Sequence, residues 1–336
     1  MRNTFLFIAC CLYSVFALAL EEQVLLPSGH GYATGNQDVD VPEVEEPTTE
    51  QTKIGFMDYS RDWLADYIHG FSHDVVGFFI DTFFGDDLLG DDVKGSRAKL
   101  SFFTRRELGK PVDYNLGISV KLVLPNTNER LNLLFESSEE DDELTEGNAL
   151  QTVDNVEYST ALRFIVKETE RWSAKLDTGV KWALPPDPFT RLRFRRIEYF
   201  DEMRLRATQS FFWSLSDGAG EDTDIRLDRP LNLDRMLRYN AGARYMLNND
   251  YFELRYGVSL FHELNSKEVL AYYFRAAGDT IEDATFNNYG VGVRYRRQIY
   301  KDWVFAEVNP ELETAAENEY DVTPIIMFRF EALIGD

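Results

Sequence analysis

The chain has 336 residues, of which 44% are hydrophobic and 14% aromatic, and its formal net charge is -23. So large a negative charge argues against nucleic acid as a partner, because phosphate binding needs a basic surface. The length suits one large barrel or two ordinary domains, and after residue 20 no apolar run approaches the ~18 residues of a transmembrane helix.

Residues 1–19 have the pattern of a secretory signal peptide. Arg2 supplies the positive charge, an apolar core follows, and residues 17–19 form a small-x-small cleavage site. Both cysteines, Cys10 and Cys11, lie inside this segment, so the processed chain would have no disulfide, catalytic thiolate or cysteine metal site. A lipoprotein modified at Cys10 is the alternative, which the short apolar core before that residue disfavours.

Two segments separate the signal peptide from the rest of the chain. Residues 20–53 are rich in Glu, Asp, Pro, Gly and Thr without an apolar period, which predicts a disordered acidic segment. Residues 54–90 are predicted to hold an amphipathic helix, because apolar side chains recur at spacings of three and four from Tyr59 to Phe84. Such a helix could plug a barrel, lie across its periplasmic mouth, or rest on the membrane surface, and its acidic polar face, which would pair with lumen arginines, favours the first two places.

Residues 91–336 show an apolar period of two, which predicts an all-β, up-and-down antiparallel barrel. Between Tyr114 and Leu122, for example, every second side chain is apolar and its neighbours are polar or small. The pattern predicts about fourteen strands, with twelve as the alternative count. The predicted strands span residues 96–105, 113–124, 130–136, 156–166, 172–182, 189–199, 203–215, 222–229, 236–246, 251–262, 268–276, 286–297, 303–312 and 322–334.

Three features indicate that this barrel crosses a membrane. The predicted strands have the ~9–11 residues that a tilted strand needs to cross a bilayer. Tryptophans stand at strand ends, where indole prefers the interface, as at Trp172, Trp182 and Trp303. Short connections also alternate with longer ones such as residues 137–155, which is typical of short periplasmic turns and longer outer loops.

Together, the signal peptide, the alternating strands, the aromatic strand ends and the amphipathic last strand resemble bacterial outer-membrane β-barrel proteins over about residues 96–336. The chain looks similar to uncharacterised proteobacterial barrels with an acidic tail and an aromatic helix, here ending Phe-Phe-Gly-Asp at residues 83–86. The resemblance implies localisation in the cell outer membrane of a Gram-negative bacterium. It also implies membrane lipid, lipopolysaccharide and the barrel-assembly machinery as partners.

If the apolar face of each strand meets lipid, the other face lines the lumen and carries many arginines. One interpretation is a porin-like pore in which these arginines guide small anionic solutes, and the other is a lumen braced by arginine–carboxylate pairs. The acidic loop at residues 139–143 is a candidate for divalent cations that bridge lipopolysaccharide. The predicted lumen-lining arginines are Arg163, Arg191, Arg193, Arg195, Arg204, Arg206, Arg244, Arg294 and Arg296.

Catalysis is disfavoured by the placement of histidine. His262 ends a predicted descending strand on the periplasmic side, so a pair with Ser259 would be misplaced for attack on surface lipid. No cofactor fingerprint or metal-binding motif appears, so we expect no cofactor and no enzyme activity. An outer-membrane hydrolase acting on lipid or peptide, or a binding protein that uses its surface loops, are the alternatives.

Overall fold

A computed structural model describes most of the predicted barrel and one residue before it. The predicted signal peptide, the acidic segment, nearly all of the predicted helix and the acidic loop lie outside the described residues. Among the described residues, no helix is long and apolar enough to span a membrane. The described residues are 83, 96–124, 127, 130–137, 158–169, 171–281, 285–301 and 303–335.

The described residues form fourteen antiparallel strands, which confirms the predicted fold class and strand count. Every predicted strand is present, and the observed bounds differ from the predicted ones by a few residues at most. The strands are β1 (Arg97–Glu107), β2 (Val112–Val123), β3 (Leu131–Ser137), β4 (Tyr158–Glu168), β5 (Trp172–Lys181), β6 (Asp187–Phe200), β7 (Met203–Ser214), β8 (Gly218–Pro230), β9 (Arg235–Met246), β10 (Phe252–Asn265), β11 (Glu268–Asp279), β12 (Thr285–Tyr300), β13 (Val304–Ala315) and β14 (Thr323–Gly335).

The sheet closes on itself through a long seam between its first and last strands. Each strand pairs with its sequence neighbours, and β1 pairs with β14 from Arg97 opposite Gly335 to Glu107 opposite Ile325. Closure leaves no open sheet edge among the described strands. That matters in hydrocarbon, where an unpaired backbone N–H or C=O costs several kcal/mol.

Alternate side chains of each strand point outward and inward, as the two-residue period predicts. On β14, Phe328 and Phe330 are 42% and 50% exposed, whereas Ile325 and Glu331 are 3% exposed. In water, leaving a large apolar side chain exposed would cost ~1.5–3 kcal/mol relative to burying it. Because most described strands carry such side chains on the outer face, that face is suited to lipid acyl chains and the inner face encloses a polar lumen.

The two ends of the barrel differ in their connections. At one end, which we call the short-turn end, turns such as residues 201–202 and 266–267 join the strands; β1 begins and β14 ends there. At the other, the loop end, the connections include residues 138–157 and 316–322. This asymmetry is typical of outer-membrane barrels, whose short turns face the periplasm.

Glycine on the lumen face of β12 leaves room for side chains that cross this strand. Tyr273 of β11 lies over Gly292, and its hydroxyl donates a hydrogen bond to Asn309 Oδ1 of β13 at 2.8 Å. A methyl group on Gly292 would overlap the tyrosine hydroxyl. The glycine therefore allows a contact between strands that are not neighbours in the sheet.

The same geometry recurs with charged side chains. Arg275 of β11 lies over Gly290, whose added Cβ would be 2.7 Å from Arg275 Nε, and reaches Glu313 of β13 at 2.6 Å. These crossings brace the wall from inside, in addition to the backbone ladder. Two further crossings are Arg255 over Gly242 to Asp222 at 2.7 Å, and Phe212 over Gly220 to Arg244, with the guanidinium 4.8 Å from the ring centroid.

We predict that Gly292→Ala destabilises the barrel by about 1–3 kcal/mol, because it displaces the buried Tyr273 hydroxyl from its acceptor. Gly257→Ala is the matched control, since the nearest atom to its added Cβ is 3.8 Å away. Urea-induced unfolding of both variants in lipid vesicles measures the difference. Equal unfolding free energies for the two variants would contradict the role given to Gly292.

Candidate functional site

The lumen face of β6, β7 and β9 carries a band of arginines, which we call the arginine wall. It comprises Arg191, Arg193 and Arg195 of β6, Arg204 and Arg206 of β7, and Arg244 of β9. Because inward positions repeat every second residue, the three arginines of β6 follow each other at ~6.6–6.8 Å along the strand. A charged side chain is acceptable in a polar lumen but costly on the lipid face, so the arginines lie on the lumen face.

Carboxylates of neighbouring strands brace part of the lumen through short ion pairs. Arg163 of β4 forms a bidentate pair with Asp177 of β5, with N–O distances of 2.8 and 2.9 Å, and both residues are buried. Asp228 of β8 forms ion pairs with Arg204 at 2.7 Å and with Arg238 at 2.6 Å. Bidentate geometry fixes both partners, so these arginines are held in place as structural cations.

The opposite side of the lumen is built from glutamates of the last two strands. Arg296 of β12 pairs with Glu307 of β13 at 3.3 Å and with Glu331 of β14 at 3.0 Å. Arg294 approaches Glu307 at 3.6 Å. Acids and arginines alternate on this side, so its charges largely compensate each other.

A cavity of about 90 Å³ lies in the lumen toward the loop end, between β5 and β9. Phe189 and Phe212 contribute aromatic faces to it, and Arg191 stands over Phe189 with 5.9 Å from guanidinium carbon to ring centroid. This combination of guanidinium and aromatic groups suits a small anion with an apolar or sugar-like body. Five of the predicted arginines line the cavity: Arg191, Arg193, Arg195, Arg206 and Arg244.

The rim of this cavity is held by the turn between β7 and β8. Lys181 Nζ donates to Asp217 Oδ2 at 3.0 Å, and the Ser214 hydroxyl donates to the same carboxylate at 3.0 Å. Desolvation by burial raises the pKa of Asp217, but the hydrogen bonds and charge of Lys181 and the serine hydroxyls outweigh it and leave that pKa below its ordinary value. The rim carboxylate is therefore ionised at neutral pH and neutralises the nearby lysine.

The short-turn end of the lumen holds an apolar cluster instead. Phe83 is helical and fully buried, and its ring packs edge-on against Phe305 with centroids 5.3 Å apart. Arg296 and Arg238 stand over the rings of Phe305 and Phe261 at 4.6 and 5.2 Å. The cluster consists of Phe83, Met236, Phe261, Val269, Ala271 and Phe305, with Leu333 packed against it.

The nine predicted arginines thus divide into two groups. Five line the loop-end cavity, and the other four, Arg163, Arg204, Arg294 and Arg296, are ion-paired to lumen carboxylates. Sequence reasoning missed four carboxylates that pair with lumen arginines: Asp222, Asp228, Glu311 and Glu313. Each occupies an inward position of its strand, so the two-residue period could have indicated them. Sequence reasoning considered a plug formed by the helix of residues 54–90, but it did not single out Phe83 as a residue that packs in the lumen.

The structure does not assemble the Ser–His pair that was considered for catalysis. Ser259 is buried with the inward positions of β10, whereas His262 has the opposite parity and lies 3.2 Å from Asp234. Among the described residues, no group of three or more His, Cys, Asp or Glu side chains is arranged to hold a metal ion.

Comparison with solved structures finds similar barrels at very low sequence identity. The KdgM porin in complex with disordered oligogalacturonate is 8% identical and has a TM-score of 0.36 over 70% of this chain and 98% of that one. Outer-membrane expressed OmpT of Vibrio cholerae is 7% identical, with a TM-score of 0.42 over 71% and 97%. The outer membrane channel DcaP of Acinetobacter baumannii is 7% identical, with a TM-score of 0.42 over 71% and 96%.

Most of these neighbours are porins or channels by name. No protein-family model matches the chain, and no curated protein matches it. The closed barrel, its lipid-facing apolar belt and its polar lumen identify an outer-membrane β-barrel by architecture.

We predict that Arg163→Met lowers the free energy of unfolding by about 3 kcal/mol, because it leaves the buried Asp177 carboxylate without its bidentate partner. Arg163→Met combined with Asp177→Leu should recover most of this loss. Lys110→Met is the control, since Lys110 pairs with Glu107 while its own side chain is 62% exposed, and such pairs contribute ~1 kcal/mol or less. Urea unfolding in vesicles gives all three values, and a loss no larger than that of the control would contradict the bracing role.

Proposed function

We propose that this outer-membrane barrel is a pore for small anionic solutes. The observation that carries the proposal is the set of five arginines around the loop-end cavity, which outnumber the three aspartates, Asp217, Asp222 and Asp224, that also line it. Guanidinium groups bind carboxylates and phosphates through forked hydrogen bonds, and they stay charged at every relevant pH. A solute entering from the loop end would meet these groups first.

The balance of charge supports an anion over a cation. On the glutamate side of the lumen, Glu307 pairs with Arg294 and Arg296, and Glu331 pairs with Arg296, so two guanidiniums compensate these two carboxylates. On the arginine wall the guanidiniums of β6 form a row with a two-residue period, so an anion leaving one arginine finds the next within ~7 Å. Rings of Arg and Lys are the usual selectivity device of anion pores.

The apolar cluster at the short-turn end supports a restriction of the same pore. Phe83 lies in the lumen against Phe305, so it narrows the passage at the end away from the loop-end cavity. The burial of Phe83 supports the prediction that the helix of residues 54–90 acts as a plug or covers the periplasmic mouth. The resemblance to uncharacterised proteobacterial barrels with an acidic tail and an aromatic helix stays a prediction. Lipopolysaccharide and the barrel-assembly machinery likewise stay predicted partners.

We predict that replacing Arg191, Arg193 and Arg195 together by Gln shifts the selectivity of the reconstituted barrel from anions toward cations. Three positive charges leave the row that an anion would follow, so chloride should lose its advantage over potassium. The reversal potential of planar bilayers across a KCl gradient measures this ratio.

The control for this experiment removes the same charge outside the lumen. Lys110, Arg229 and Lys301 are exposed, so their joint replacement by Gln should leave the reversal potential unchanged. If the unmodified barrel gives no conductance, or if the two triple variants behave alike, the proposed anion pore is wrong.

We predict that Phe83→Ala increases single-channel conductance, because the smaller side chain widens the short-turn end of the lumen. Phe102→Ala is the matched control, since Phe102 is a lipid-facing side chain of β1 with 41% exposure. Both variants should keep the anion preference, which is generated at the other end. Equal conductance of the two variants would contradict the assignment of Phe83 as the residue that narrows the lumen.

A further inference from the structure

Strand register places the partners of several lumen arginines directly opposite them in the ladder. Arg163 of β4 stands opposite Asp177 of β5, and Arg296 of β12 stands opposite Glu307 of β13. Both pairs are ion pairs. Register therefore neutralises charge where an arginine meets a carboxylate, and it leaves charge where the opposite residue is of another kind.

Across β5–β8 the register sets like charges against each other. Lys175 of β5 lies directly opposite Arg193 of β6, and Arg206 of β7 lies directly opposite Arg226 of β8. Lys175, Arg206 and Arg226 are buried, with exposed fractions of 2%, 7% and 2%. Like charges that face each other in a sheet are destabilising, and burial strengthens their repulsion.

A fifth cation, Arg195 of β6, lies between these two pairs. It is buried, and the residues opposite it in the ladder are Ser173 of β5 and Thr208 of β7, neither of which carries a charge. Ser210 of β7 stands opposite Arg193 in the same way. The five cations, which we call the like-charge site, are Lys175, Arg193, Arg195, Arg206 and Arg226.

Few carboxylates are placed to compensate the like-charge site. Lys175 approaches Glu168 at 3.6 Å, and Asp224 is diagonal to Arg206 in the ladder, so two negative charges accompany five positive ones. A surplus of three positive charges remains, and a buried charge without compensation is strongly destabilising. The other inward carboxylates of β5 and β8 are engaged elsewhere: Asp177 with Arg163, Asp222 with Arg255, and Asp228 with Arg204 and Arg238.

The loop-end cavity gives a solute access to this site. Arg193, Arg195, Arg206, Thr208 and Ser210 all line the cavity, whose volume is about 90 Å³. One water molecule needs ~10–15 Å³ of such space, so the cavity has room for an ion of several heavy atoms. The two hydroxyls can donate hydrogen bonds to the oxygens of such an ion.

We propose that the like-charge site binds a tetrahedral dianion of the phosphate class. A dianion removes two of the three surplus charges, whereas a monoanion such as chloride removes one. Guanidinium groups also match the oxygens of such an ion through forked, charge-assisted hydrogen bonds. The inference rests on the proposed anion pore for the route by which the solute arrives, and it adds the charge and the shape of the solute.

The test is urea unfolding of the full-length barrel, folded in detergent micelles, in phosphate, sulfate or chloride of equal ionic strength at about pH 8, where phosphate is largely a dianion. Millimolar phosphate and sulfate should raise the unfolding midpoint with saturation, because a ligand of the folded state stabilises it, and chloride should not. The lower of the two apparent dissociation constants identifies the preferred ion.

Two substitutions of arginine test where the dianion binds. Arg193→Gln should raise the apparent dissociation constant for phosphate roughly tenfold, the size expected for one charge-assisted contact. Arg229→Gln is the matched control and should leave it unchanged, because Arg229 is exposed on the outer face of β8. If the two variants behave alike, the dianion does not bind at the like-charge site.

Lys175→Met tests the origin of the site in like-charge repulsion. It removes one buried cation, so in chloride the variant should be at least as stable as the unmodified barrel, and the gain from phosphate should fall. Heat-modifiable migration on gels verifies that each variant is folded. Phosphate and sulfate also stabilise proteins by exclusion from the surface, but that effect is the same in all variants, and equal gains in all of them would overturn the proposal.

Failure of this site and failure of the pore are distinguishable, because the unfolding measurement needs no conduction. Saturable stabilisation by phosphate in a barrel without anion-selective conductance would keep the site and reject the pore. Anion-selective conductance without saturable stabilisation would keep the pore and reject the dianion site.

Discussion

The constraint on which the rest of this structure depends is the pairing of every backbone N–H and C=O inside a bilayer. Hydrocarbon offers no water to an unpaired group, so a sheet can cross only if its first and last strands meet. The seam between β1 and β14 provides that closure over the whole length of β1 and from Ile325 to Gly335 of β14. Once the sheet is closed, the period of two sends one set of side chains to lipid and encloses the other set, and all further chemistry follows from this separation.

Enclosure explains why so many charged side chains can be buried in one small domain. A buried ion costs several kcal/mol unless it is paired, and pairing requires partners on facing positions. Cross-strand neighbours provide some, such as Arg163 and Asp177, and lumen glycines provide others by letting Arg275 reach across β12 to Glu313. The lumen is thereby braced on the glutamate side, while the arginine wall keeps an excess of positive charge around its cavity.

Strands and side-chain directions could be predicted from the sequence because both depend on the period of two. Even the strand predicted at residues 222–229 is present, as part of the longer β8 (Gly218–Pro230). The partners of individual arginines could not be predicted, because a crossing such as Arg255 over Gly242 to Asp222 depends on register and on space in three strands at once. Pro310 of β13 marks a missing ladder hydrogen bond in the sequence, but that the pairing is interrupted toward β12 and not toward β14 depends on register and could not be predicted.

The two ends of the lumen have different chemistry. The groups that would select a solute lie at the loop end, and the side chains that narrow the lumen lie at the short-turn end. Five guanidinium groups, three carboxylates and three aromatic residues line the cavity at the loop end, whereas Phe83 and Phe305 pack together at the short-turn end. Arg238 and Arg296 flank the apolar cluster, but carboxylates hold both of them, so their charge is largely compensated there. In the proposed pore, an anion would therefore be recognised before it reaches the narrow part, and a change in the position of Phe83 would alter conductance without altering which solutes are admitted.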